Sequence, residues 1–408
     1  MKEKKEKLVS REYVMLTCIN FFMSINFYTL TLVVPPFTIF KFGMSEWLAG
    51  LATGIFVFGV LISRFFSVYL INRFGYKPLL TFSVIVLVVT TVCYFFIITP
   101  SMIFIIRIIG GFAYGLISTV DITIVTYIVP KNRTGEGMGY YSMGQVLATA
   151  VGPSIGLLLL NSANGANFTA IFAICTILPA ITIFFLPFMR IKQLVPSEKV
   201  GIVEGGKLID KFIERSVISI AAICFIVYIS YACISSFMAL YAEEIDLIRP
   251  SKYFFILIAA AMFFSRPFVA KIFDRRGANI VFYPSLIAFV IGFLLLSQST
   301  NALMLTSSAI LFGLGLGGVQ AASLAMVMNI SRWDRLVVSN STYYMALDSS
   351  NAVGPVIGGI IIGIAGYREM YFAGFILLLI CIPLYFLLYG RRASKTEGGI
   401  IRHEHLEQ

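Results

Sequence analysis

Five charged side chains lie well inside long apolar runs, away from their ends: Arg64, Arg107, Asp121, Arg266 and Asp348. A charged group in hydrocarbon is costly, so each is a candidate for an ion path, a proton relay, a substrate contact or a helix-to-helix pairing. Both histidines, His403 and His405, lie in the C-terminal tail. A proton carrier inside the membrane must then be a carboxylate, which leaves Asp121 and Asp348. For either acid the plainer reading is structural, a side chain that only bonds its neighbours.

Spacing places Asp121 on a defined face. Arg107, Gly111, Tyr114, Ser118 and Asp121 follow one another at steps of 4, 3, 4 and 3, one stripe of a helix. Arg107 and Asp121 are separated by about 21 Å at 1.5 Å rise per residue, too far to pair, and mark two ends of a polar track. Ser341, Tyr344, Asp348, Asn351 and Pro355 form a second stripe. Asn20, Ser24 and Tyr28 share a face in the first apolar run, and Tyr228, Tyr231 and Ser235 in the seventh. Such faces suit a wet cavity for amphipathic solutes, or tight helix packing through small and hydroxyl residues. Arg107, Tyr114, Asn20, Ser24, Tyr28, Tyr228 and Tyr231 are thus cavity candidates.

The elements that carry these residues follow from composition. Of 408 residues 59% are hydrophobic and 12% charged, and mean hydropathy is +0.91. A soluble fold has about 45–50% apolar and 25% charged residues, so a soluble enzyme, a disordered chain and a disulfide scaffold are all excluded. Twelve apolar spans are predicted at 14–36, 46–70, 79–98, 102–128, 138–161, 168–187, 216–241, 252–273, 279–297, 302–330, 340–364 and 368–389. With a cytoplasmic N-terminus, Lys41, Arg249, Lys252 and Arg368 face outside, and Arg64, Arg107 and Arg266 lie within spans. The other 24 of the 31 basic residues then fall inside, as the positive-inside rule requires. The net charge of +11 is therefore a topology signal and not a nucleic-acid footprint. The six cysteines all sit in spans, and the N-terminus shows no cleavage site after its first apolar run.

The chain also repeats itself. SRFFSVYLINRFG at 63–75 matches SRPFVAKIFDRRG at 265–277, and AVGPSIG at 150–156 matches AVGPVIG at 352–358, both at an offset of 202. Gly111 and Gly115 map to Gly313 and Gly317, and Arg133 to Arg335, at the same offset. The expected fold is an all-α integral membrane protein of two six-helix pseudo-repeats with both termini cytoplasmic. Its divisions are a bundle at 1–189, a linker at 190–215, a bundle at 216–390 and a tail at 391–408. Parallel halves of this kind suit a rocking transporter. Gly152-Pro153 and Gly354-Pro355 occupy matched points, where a missing backbone donor relaxes a helix and permits a bend.

Twelve spans, the six-plus-six repeat and the loop NRFGYK between spans 2 and 3 resemble the major facilitator superfamily. Leu70, Arg73, Gly75 and Lys77 match its loop pattern, while Val68, Asn72 and Tyr76 depart from it. The second copy keeps Asp274, Arg275 and Gly277. RIIGGFAYG resembles the fourth-span motif through Arg107 and Gly111. GQVLATAVGPSIG resembles the fifth-span antiporter motif through Gly144, Gly152, Pro153 and Gly156. The resemblance implies a multi-pass transporter of the plasma membrane, of the drug:proton antiporter branch, exporting small organic molecules against protons. It further implies a cytoplasmic gate formed by Arg64, Asn72, Arg73, Gly75, Arg266, Asp274, Arg275 and Gly277. The alternatives are a proton-coupled importer, a dedicated exporter of one metabolite such as a sugar or metal chelator, and a lipid flippase. No metal, cofactor or nucleic-acid partner is expected, and the protein is expected to be a monomer. Gly313–Gly318 satisfies G-x-G-x-x-G but lies in an apolar span with no preceding strand. No P-loop sequence occurs, and without a span histidine the usual Ser-His and metal-His enzyme sites are not available.

Overall fold

In a bilayer every backbone polar group needs a partner within the protein, so an apolar run of this length coils into a helix. The computed structural model describes residues 10–129, 134–160, 167–190, 213–331 and 335–393. Among them, twelve helices are long and apolar enough to cross a membrane, and there is no strand. They begin with α1 (Arg11–Phe42), α2 (Glu46–Phe74), α3 (Tyr76–Cys93), α4 (Pro100–Ile128), α5 (Thr134–Leu159) and α6 (Phe168–Ile183). The series resumes with α7 (Ile218–Glu244), a short α8 (Ile248–Ser251), α9 (Phe254–Arg276), α10 (Ala278–Ser297), α11 (Ala302–Ile330), α12 (Leu336–Ala365) and α13 (Tyr367–Tyr385). The short α8 lies just before the eighth predicted span, 252–273, which α9 carries. Side-chain caps set several starts: Ser10 accepts from the Tyr13 amide, Asn167 from Ala170 and Asn301 from Met304.

The chain divides into two compact units, residues 1–43 with 55–201, and residues 44–54 with 202–408. In the first, α1 packs on α5, and α3 on α4 and α6. In the second, α7 packs on α12, and α10 on α11 and α13. The pairings correspond one to one, so the duplication read from the sequence is a duplication of packing.

Its atomic register is equally plain. A Cβ on Gly111 of α4 would run into the Phe56 carbonyl oxygen of α2, and one on Gly313 of α11 into the Ile258 carbonyl oxygen of α9. One on Gly115 would stand 2.9 Å from the Val60 Cα, and one on Gly317 3.2 Å from the Met262 Cα. Each partner pair repeats the offset of 202. The α1/α7 copies are displaced by two further residues. Thr29 donates to the Gly152 carbonyl at 2.9 Å, and Cys233 to the Gly354 carbonyl at 3.3 Å, an offset of 204 between the donors. Gly75 and Gly277, also 202 apart, both hold positive φ, at 80° and 83°, where a side chain would be strained.

Two of the basic residues assigned to the outside have partners that account for them. Lys41 Nζ donates to the Ile97 carbonyl at 2.8 Å, and Arg368 to the Ser299 carbonyl at 3.1 Å. The two acceptors are again 202 residues apart, so each charge clasps the same turn in its own unit. All six cysteines are free thiols.

Candidate functional site

The first unit carries its acid in a packed, otherwise apolar place. Asp121 is 1% exposed on α4, flanked along the helix by the fully buried Val120, Ile124 and Val125. Its Oδ2 accepts from the Tyr141 hydroxyl of α5 at 2.7 Å. That hydroxyl accepts in turn from Asn20 Nδ2 of α1 at 2.7 Å. Two turns before Asn20, Tyr13 donates to the Gly137 carbonyl at 2.6 Å and ties α1 to α5 a second time. Asp121 Oδ1 and Asn20 Oδ1 are buried without a hydrogen-bond partner among the described residues. Three helices therefore converge on one carboxyl group with one oxygen bonded and the other open to a proton. An ionised carboxyl without a paired cation is costly at such a position, and a proton on Oδ1 would remove the charge while keeping the tyrosine bond.

Tyr141 was absent from the sequence candidates, and the network predicts what it does. Tyr141→Phe strips Asp121 Oδ2 of its donor and Asn20 of its acceptor without changing shape much. Leaving such buried groups unsatisfied costs roughly 1–3 kcal/mol. A lower melting temperature of the purified variant in detergent is the expected reading, and an unchanged one would show that the bonds do not hold the junction together.

The other end of the α4 stripe is aromatic. Arg107 is 1% exposed. Its guanidinium lies over the Phe56 ring of α2 at 4.6 Å from the centroid, a cation–π contact, and beside Tyr94. Phe27 of α1 stacks on Tyr114 at 5.4 Å and meets Phe56 at 5.5 Å. Tyr28 is half-buried with its ring 4.9 Å from Phe27, and Ser24 is buried. The cavity candidates of the first unit are thus gathered into two groups, Asn20 with Asp121 and Arg107 with Tyr114. Phe27 and Phe56 complete the second group, and neither was singled out by pattern.

In the second unit Asp348 is half-buried on α12. Asn351, next on its stripe, donates to the Leu347 carbonyl. Tyr228 and Tyr231 are buried on α7 with rings 6.5 Å apart. Arg266 reaches sideways to Gln320 Oε1 of α11 at 3.0 Å. Gln320 also escaped the sequence reading. Of the remaining gate residues, Arg64 is half-buried and Asn72, Arg73 and Arg275 are exposed, with Arg73 donating to the Tyr69 hydroxyl at 2.9 Å. The Asp274 side chain lies outside the described residues. Pro153 and Pro355 are each carried inside an unbroken helix, α5 and α12. Among the described residues no group of three or more His, Cys, Asp and Glu is placed to hold a metal ion.

Comparison with known proteins places this geometry. The sequence profile of the Major Facilitator Superfamily matches residues 16–349. The multi-drug resistance efflux pump PmrA of Streptococcus pneumoniae is 24% identical over 375 residues, covering 85% of this chain and 90% of the pump. A PmrA homolog of Lactococcus lactis is 22% identical over 296 residues, covering 71% and 72%. Among solved structures, a mutant form of the nucleoside transporter NupG superposes with a TM-score of 0.73 at 11% identity, over 93% of this chain and 100% of that one. A bacterial homolog of the human lysosomal transporter Spinster, inward-facing and occupied, gives 0.72 at 15% identity over 95% and 97%. Both likenesses are of fold.

Proposed function

The chain belongs to the Major Facilitator Superfamily, and we propose that it is a multi-pass cell-membrane transporter that exports small amphipathic organic molecules in exchange for protons. The observation that carries the coupling is the junction of α1, α4 and α5, where Asp121 is buried against Tyr141 and Asn20 with one oxygen open. The efflux pumps among its relatives support the direction and the solute class.

A proton from outside loads Asp121 and neutralises it. The neutral junction favours the state that releases solute outward. Loss of the proton to the cytoplasm restores the charge and the affinity for the next solute. Proton and solute thus bind in alternation, and each can shift the equilibrium only by its differential affinity for the two states. Arg107, fixed over Phe56 and close to the Phe27–Tyr114 stack, supplies the positive end of an aromatic surface for the solute. Asp348 is the second candidate acid. Arg64, Asn72, Arg73, Gly75, Arg266, Asp274, Arg275 and Gly277 form the gate, and the matched glycine-proline points are its helix bends.

Inverted membrane vesicles containing the protein test the proposal with a fluorescent lipophilic dye. Acidifying the lumen should drive dye into the vesicles, and a protonophore should abolish that uptake. Dye movement in the opposite direction would indicate an importer. Movement of labelled phospholipid without dye transport would indicate a flippase.

A further inference from the structure

The packing register assigns every residue of the Asp121 junction a counterpart in the second unit. Asp121 of α4 corresponds to Ser323 of α11, and Tyr141 of α5 to Tyr343 of α12, at the common offset of 202. Asn20 of α1 corresponds to Cys224 of α7, at the offset of 204 that relates Thr29 to Cys233. The counterparts meet as the originals do. Ser323 Oγ and the Tyr343 hydroxyl are 2.8 Å apart, and the Cys224 thiol lies beside both. Ser323 and Tyr343 are at 0% and 1% exposure, and Cys224 at 0%. The tyrosine is kept, and the acid and amide are replaced by a hydroxyl and a thiol.

We infer that the α7–α11–α12 junction is a neutral copy of the proton site, so that the duplicated architecture contributes one titrating acid instead of two, and that an aspartate at position 323 would be read as a second proton site. This rests on the assignment of the proton to Asp121. The second junction already has the tyrosine donor that the acid needs, and it is the more deeply buried of the two, Cys224 being fully buried where Asn20 is half-buried.

The surroundings of the two sites differ in a defined way. Asp121 faces Tyr141 from α5 and Asn20 from α1, with Tyr114 of α4 acting on Tyr141 and Tyr13 of α1 bonded nearby to Gly137. Ser323 faces Tyr343 from α12 and Cys224 from α7. Behind these are Tyr228 of α7, Tyr344 of α12 and Cys381 of α13. Arg266 of α9 is held by Gln320, three residues before Ser323 on α11.

Proton release by the purified full chain, followed with a pH-indicator dye across a pH titration, tests the inference without any transported solute. Asp121→Ser gives the first junction the hydroxyl that the second already has; it should fold, and should release one proton fewer than the wild type. Ser323→Asp should release one more. The double variant should return to the wild-type count. Cys224→Asn with Ser323→Asp rebuilds all three first-unit side chains and guards against misfolding of the single variant. If that rebuilt chain fails to fold, or folds and adds no proton, the neutral-copy inference is overturned. If Asp121→Ser folds and keeps the full count, the Asp121 assignment itself is lost, a result distinct from failure at position 323.

Discussion

Replacing Asp121 with asparagine should abolish proton-driven transport while leaving solute binding and the fold in place. Asparagine has nearly the same shape, and its amide can still meet the Tyr141 hydroxyl, which now bonds Asp121 Oδ2 at 2.7 Å. What it cannot do is change charge. The loss should therefore fall on coupling and spare the packing that Val120, Ile124 and Val125 make around it. Coupling free energies of 1–3 kcal/mol correspond to roughly 5–150-fold effects. A fall of at least about tenfold in dye uptake driven by a pH gradient is expected in proteoliposomes on that scale. Solute counterflow, which needs no proton movement, should persist. Asp348→Asn is the matched control: Asp348 is only half-buried, and its variant should keep most of the gradient-driven flux. Undiminished coupling in Asp121→Asn would remove this acid from the mechanism. Loss in Asp348→Asn alone would transfer the role to α12.

That contrast also marks how far the amino-acid pattern reaches. Hydropathy located the spans because hydrocarbon imposes one requirement on all of them, a long apolar helix. It set the start of the eighth span at Lys252, close to where α8 ends and α9 begins at Phe254, but gave no sign that the residues just before it form the short helix α8. Helical spacing found the α4 stripe from Arg107 to Asp121, since residues 3 and 4 apart share a face whatever lies opposite. It could not find Tyr141, because a contact between α4 and α5 depends on how two helices are rotated about their axes. One signal was available: Tyr141 and Tyr343 stand at the repeat offset of 202, and a tyrosine kept in both halves of a duplicated membrane protein has a reason to be kept. Phe27 and Phe56 had no such marker. Among 37 phenylalanines, nothing in local sequence separates a ring stacked beneath Arg107 from one facing lipid, as Phe65 and Phe264 do at 57% and 70% exposure.

The repeat carries a second large effect, on stability. Without a hydrophobic drive between helices in lipid, association depends on close packing at small residues. Gly111 and Gly313 are repeat-related points of such approach, each directly against a backbone carbonyl oxygen, of Phe56 and Ile258. A backbone atom cannot turn aside as a side chain can, so the helices themselves must separate. Gly111→Val should therefore cost more than the roughly 1–3 kcal/mol of an ordinary overpacked core, and should also move Phe56 from beneath the Arg107 guanidinium. Gly313→Val should destabilise its own unit to a similar degree, but the residue at the position equivalent to Arg107 is Ala309, so no charge loses its aromatic partner. Gly43→Ala provides the comparison: a Cβ there meets nothing within 4 Å, and only its φ of 63° is strained. Melting temperatures in detergent should fall most for Gly111→Val, next for Gly313→Val and least for Gly43→Ala. Equal melting of all three with the wild type would mean that these helices do not approach as closely as their glycines allow. A large fall for Gly111→Val with none for Gly313→Val would break the equivalence of the two units on which the neutral second junction depends.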